Sequence, residues 1–141
     1  MKPQKAESYK KMQIQTANPA TLILMLFDRA IVLLDKAKNE ILEKQYEDKG
    51  YTLTKANEII AELAGSLDME KGGEIASSLS KLYNFVMREI LDADKNLNTK
   101  AIDNARRIVT ELRESWVSIK DNPDIELQNS DNAATSVDLS G

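Results

Sequence analysis

The chain contains neither cysteine nor histidine. Without cysteine there is no disulfide and no thiolate site, which fits a reducing compartment. Without histidine the usual proton shuttle and the commonest metal ligand are gone, and carboxylates are the only strong metal-binding side chains left. Several functions of helical proteins are thereby excluded: a di-iron bundle needs Glu-x-x-His pairs, a phosphotransfer bundle needs a phosphorylatable histidine, and a haem bundle normally needs an axial one. Gly72-Gly73 is not followed by the Lys-Ser/Thr of a phosphate-binding loop. The acid pairs Asp68/Glu70 and Asp92/Asp94 fall near expected helix ends, where solvated charges assist caps. No residue is assigned to catalysis, to a cofactor or to a metal, and an enzyme is not expected.

Aromatic residues are only 5% of the chain, and there are five glycines and three prolines. Hairpin signals are therefore missing, while aliphatic helix formers make up most of the 42% hydrophobic content. The expectation is an all-α single domain, since 141 residues suffice for one core but are few for two. The start, MKPQKAESYKKMQIQTANPA, has no apolar signal core, and the longest uncharged apolar run, Ala20 to Phe27, is far shorter than a membrane span. A soluble cytosolic protein without membrane insertion follows as the expectation. The net charge of −4 is concentrated in Asp121, Asp124, Glu126, Asp131 and Asp138, so the body before them is nearly neutral. No Lys/Arg stripe interleaved with aromatics marks a nucleic-acid surface.

What the sequence does have is helical periodicity. Residues 1–17 read as a polar arm with scattered apolar contacts at Tyr9, Met12 and Ile14. Asn18 as N-cap and Pro19 at the first helical position then open a helix expected to run to about Gln45. Gly50 reads as a break, and Leu53, Ala56, Ile59, Ile60, Leu63 and Leu67 as the stripe of a second helix. Gly72-Gly73 is expected to end that helix. A third carries Ile75, Leu79, Leu82, Val86 and Ile90. Asn96, Asn98 and Thr99 break and recap the chain before a fourth with Ile102, Ala105, Ile108, Val109, Leu112, Trp116 and Ile119. Four helices with short links predict an antiparallel up-down four-helix bundle over residues 18–120. Asp121-Asn122-Pro123 ends it, and the composition of residues 121–141 predicts a disordered acidic tail.

The first helix is more apolar than one buried face requires. Leu22, Ile23, Leu26, Phe27, Ala30, Leu33, Leu34, Ala37 and Ile41 share one arc, the core stripe. Leu24, Ile31 and Leu42 align on a flank instead, and Met25 and Val32 form a further row among charges. The third helix repeats the surplus with Tyr83, Met87 and Leu91 at i, i+4 and i+8. Either these rows pack on neighbouring helices, or a second copy, another segment of the chain or a partner covers them. Phe85 reads as an edge residue of the bundle and Trp116 as the core end of the fourth helix.

LDMEKGGEIA (67–76) and LSKLYNFVMREIL (79–91), preceded by TANPATLILMLFDRAI (16–31) and closed by LRESWVSI (112–119), resemble the FliS family of flagellar secretion chaperones. The similarity extends in order from about Tyr9 to Ile119. It departs at Arg29, where a glycine commonly follows Asp28, at Phe85-Val86, at Glu89 and at Glu114-Ser115. The resemblance implies a cytosolic four-helix bundle that binds the C-terminal segment of flagellin, prevents premature polymerisation and delivers the subunit to the export gate. It implies an export-gate protein as second partner, with other flagellar regulators as further candidates. It also implies that the N-terminal arm covers the apolar groove when flagellin is absent, with Tyr9 matching the arm tyrosine and Ile14 as a second anchor. The expected partner-binding residues are thus Tyr9, Ile14, Leu24, Met25, Ile31, Val32, Leu42, Tyr83, Met87 and Leu91, on a monomer or weak dimer. The competing reading is a homodimeric helical regulatory or structural assembly factor that pairs through the same rows.

Overall fold

The structure is a computed structural model that describes residues 18–121. The expected arm and all but the first residue of the expected tail lie outside the described residues. Among the described residues there are four α-helices: α1 (Pro19–Leu42), α2 (Tyr46–Gly65), α3 (Met69–Asn96) and α4 (Thr99–Asp121). Each packs on two neighbours in a closed ring: α1 on α2 and α4, α3 on α2 and α4. The all-α four-helix bundle is as expected.

Antiparallel register can be read from side-chain pairs. Asp28 pairs with Arg113, Asp35 with Arg106 and Lys38 with Asp103, so each step up α1 is matched by an equal step down α4. Across α2 and α3, Lys49 Nζ donates to Asp94 Oδ1 at 2.6 Å and to the Asp94 carbonyl at 2.9 Å. Between α3 and α4, Asn104 Nδ2 donates to Glu89 Oε1 at 2.9 Å.

The helix starts follow local chemistry. Asn18 Oδ1 accepts from Thr21 N–H at 2.8 Å ahead of Pro19, satisfying one of the free first-turn donors, an interaction worth about 1 kcal/mol. Asp68 caps α3 through Lys71 N–H at 2.9 Å. Asn98 Oδ1 accepts from Lys100 and Ala101 N–H at the start of α4.

Two expected breaks fall elsewhere. Gly50 lies inside α2, and the chain turns at Glu43–Gln45, with Lys44 at φ 61°. Gly50 misled because a glycine is tolerated within a helix whose other residues are good formers. Likewise α2 ends at Gly65, and Gly72-Gly73 lies in the first turns of α3. Gly73 adopts φ 52°, ψ −126°, a conformation open essentially only to glycine, and kinks the helix there. A Cβ on Gly72 would come within 2.6 Å of Ala76 Cβ. The pair is therefore a bend within one helix rather than the end of another.

The best-sealed layer of the core is the half of the bundle near the α1–α2 and α3–α4 turns. Leu34, Ala37, Leu53, Ala56, Ile60, Val86, Ile90, Ala93, Ile102 and Ala105 are at most 1% exposed. Two charges are buried beside them: Lys49, paired as above, and Glu40, which meets Lys36 at 3.3 Å but leaves Oε1 without a hydrogen-bond partner.

Candidate functional site: an open end of the bundle

The opposite end is less well closed. There α1 begins, α2 and α3 are joined, and α4 stops. Ile23 and Leu26 on α1, Leu67 before α3, Leu79 and Leu82 on α3, and Trp116 on α4 pack on the core cluster but remain partly exposed. The ion-pair register places Ile23 and Leu26 level with residues 115–118 of α4, and so beside Trp116. Leu63, Ile75 and Ala76 are buried, so the interior itself is filled. What is left uncovered is a rim of large apolar side chains.

The helices that meet at this end differ in length. α2 has 20 residues against 24 in α1, a shortfall of about 6 Å at 1.5 Å per residue. Gly73 bends α3 within its first turns. Met69 at the head of α3 is 52% exposed. Trp116 is fixed in orientation, because its indole N–H donates to the Ala20 carbonyl at 2.8 Å.

The expected partner-binding residues divide into groups. Val32, Leu42 and Leu91 are exposed by 54%, 63% and 58%. Leu24 and Met25 are half-buried, and Ile31 and Met87 pack partly on the core. Tyr83 corrects the expectation of an exposed row: it is 4% exposed and belongs to the core cluster. It stands one step from the centre of the stripe, next to Val86 and Ile90, where a ring is long enough to reach the interior. Burial pushes its phenol pKa up to about 12. Tyr9 and Ile14 lie outside the described residues. The structure does not bring the remaining rows together, because α1 and α3 stand diagonally in the ring.

The open-end residues were legible only as core positions. Their incomplete cover depends on how neighbouring elements pack, which periodicity within one helix does not report. Also missed were exposed Tyr51, Tyr46 and Leu97, the last in a left-handed conformation with φ 53°.

Among the described residues no group of three or more acids is arranged to hold a metal ion. Arg106 is held more firmly protonated by its hydrogen bond to Asp35, a surface pairing on the α1–α4 seam. No helix among the described residues is long and apolar enough to cross a membrane. The arrangement presents partly exposed apolar side chains at one end of the bundle.

Comparison with known proteins identifies the family. The family model described as "Flagellar protein FliS" matches residues 1–123. The chain is 37% identical over 107 residues to the flagellar secretion chaperone FliS of Salmonella typhimurium, covering 75% of this chain and 79% of that protein. It is 32% identical over 117 residues to the Vibrio cholerae flagellar secretion chaperone FliS, covering 80% and 86%. With the flagellar secretion chaperone FliSB of Pseudomonas aeruginosa the identity is 31% over 107 residues, covering 76% and 85%. With a family match across the whole bundle, the chain belongs to the FliS family of flagellar proteins.

Proposed function

We propose that this protein is a flagellar export chaperone that binds the C-terminal segment of flagellin in the cytosol, prevents its premature polymerisation and hands it to the export gate. The observation that carries the reading is the open end, where core-facing Ile23, Leu26, Leu79, Leu82 and Trp116 keep part of their surface in water. Family membership supplies the class of client. An amphipathic segment that orders on contact would lay short helices into such clefts, using apolar anchors at helical spacing.

Energetics favour an extended client. Each large apolar side chain contributes at most about 1.5–3 kcal/mol on full burial, and these begin half-buried. Association costs about 4–15 kcal/mol, and ordering the client a further 2–5 or more. The rim alone cannot offset both. A client that continues from the open end along the exposed rows at Val32, Leu42 and Leu91 gathers more area, and the diagonal placement of α1 and α3 requires it to wrap around the bundle. Residues 1–17 are then a lid for the same surface, and a closed lid lowers apparent affinity in proportion to the fraction left open.

Calorimetric titration with a flagellin C-terminal peptide tests the reading. Val32→Asp and Leu91→Asp should weaken binding with little change in melting temperature, since both side chains are already in water. Ile31→Asp and Met87→Asp should cost stability as well, because both touch the core. Equal peptide affinity in the wild type, Val32→Asp and Leu91→Asp would remove the exposed rows from the client path.

A further inference from the structure

The outer face shared by α2 and α3 carries charges that the bundle itself leaves unpaired. With successive residues about 100° apart, Glu47, Tyr51, Glu58 and Glu62 fall in one outward row on α2, and Lys81, Arg88, Leu91 and Lys95 in one outward row on α3. All eight are exposed, Tyr51 by 68% and Leu91 by 58%. Among the described residues none of the six charges forms an ion pair, whereas those along the α1–α4 seam are paired across it. Lys55 is the one exposed base on α2 and stands at the edge of its row. On the facing stretch of α3 the acids Glu89, Asp92 and Asp94 are each bonded within the chain, so what that helix turns outward is basic. The Lys49–Asp94 pair fixes the level of one row against the other. Because the helices are antiparallel, Glu47 stands level with Lys95, Tyr51 with Leu91, Glu58 with Arg88 and Glu62 with Lys81, each to within about one helical turn of 5.4 Å.

Such a face is complementary to itself. A two-fold axis running along the α2–α3 seam, parallel to the helices, lays α2 of each copy against α3 of the other and leaves every level unchanged. We propose that this face is the contact of an isologous dimer, with a second copy of the chain as occupant: Glu47 faces Lys95 of the second copy, Tyr51 packs on Leu91, Glu58 faces Arg88 and Glu62 faces Lys81, each contact made twice. From Glu47 to Glu62 the face is about 22 Å long, and two helices side by side are about 20 Å wide. The two copies together therefore cover roughly 900 Å², at the small end of specific interfaces. The dimer is accordingly weak, and its exposed charges make it sensitive to salt. Leu91 also lies on the client path proposed above, so client and second copy compete for it. The dimer itself does not depend on that reading.

Sedimentation equilibrium of the full chain, without any client, tests the contact. In ~20 mM KCl the average mass should climb toward that of a dimer as protein is raised from ~5 to ~200 μM, and in ~500 mM KCl it should stay near that of a monomer. One variant carries Glu47→Lys and Glu62→Lys, a second Lys81→Glu and Lys95→Glu; all four positions are exposed, and far-UV circular dichroism checks that both variants fold. Either variant alone sets like charges opposite one another and should weaken dimerisation by about tenfold or more. An equimolar mixture should recover the wild-type dimer, because each variant then offers at both contacts the sign that the other lacks. Tyr51→Ser should weaken the dimer with no change of charge. A wild type that stays monomeric at low salt would overturn the proposal, as would a mixture that stays monomeric. A dimer that survives in both charge variants pairs through another face and would overturn it too.

Discussion

Gly50 and Gly73 both lie within helices and make opposite demands on a side chain. A Cβ at Gly50 meets nothing within 4 Å, so Gly50→Ala should stabilise by about 0.5–1 kcal/mol through helix propensity, measured as a higher urea midpoint. At Gly73 the positive φ makes any Cβ strained, and Gly73→Ala should cost about 1–3 kcal/mol. Tyr83 gives a pH signature. In the unfolded chain its phenol ionises near 10, but in the fold it keeps its proton up to about 12. Above pH 10 the unfolded state therefore binds fewer protons than the folded one. Stability falls across that window, by up to about 3 kcal/mol, and is untouched below it. Tyr83→Phe should flatten this alkaline loss in urea titrations at several pH values; an unchanged slope would place the ionisation elsewhere. Sequence periodicity put Tyr83 one step off the core centre, and only the packing of α3 on its neighbours decides that a long ring at that angle turns inward.

Among elements, the α1–α4 seam and the α2–α3 contact differ in kind. The seam is bordered by half-exposed ion pairs, each worth about 0–1 kcal/mol. Asp35→Asn should therefore change stability by less than about 1 kcal/mol. Lys49 is buried and its Nζ is bonded to Asp94 twice. Asp94→Ala removes the carboxylate from a buried ammonium and should cost roughly 1–3 kcal/mol in urea unfolding, more than any single seam pair. The existence, order and core stripes of all four helices were legible in the sequence, because 3.6-residue periodicity and the caps at Asn18 and Asn98 are local signals. The turn after Leu42 was not, since no glycine marks it and Lys44 takes the positive φ instead. Nor was the incomplete cover beside Trp116, because periodicity marks which residues face the core and not how fully neighbouring elements cover them.

At the scale of the molecule, one end is sealed and the other presents apolar surface. The chain's only tryptophan stands at that rim, so its emission reports what covers it without any label. The most direct measurement of the central claim is a fluorescence titration of Trp116 with a flagellin C-terminal peptide, in the full chain and in a variant lacking residues 1–17. The account predicts a red-shifted starting spectrum in the truncated protein, a saturable blue shift in both, and tighter binding after truncation. Emission unmoved by peptide in either protein, or weaker binding once residues 1–17 are removed, would contradict it.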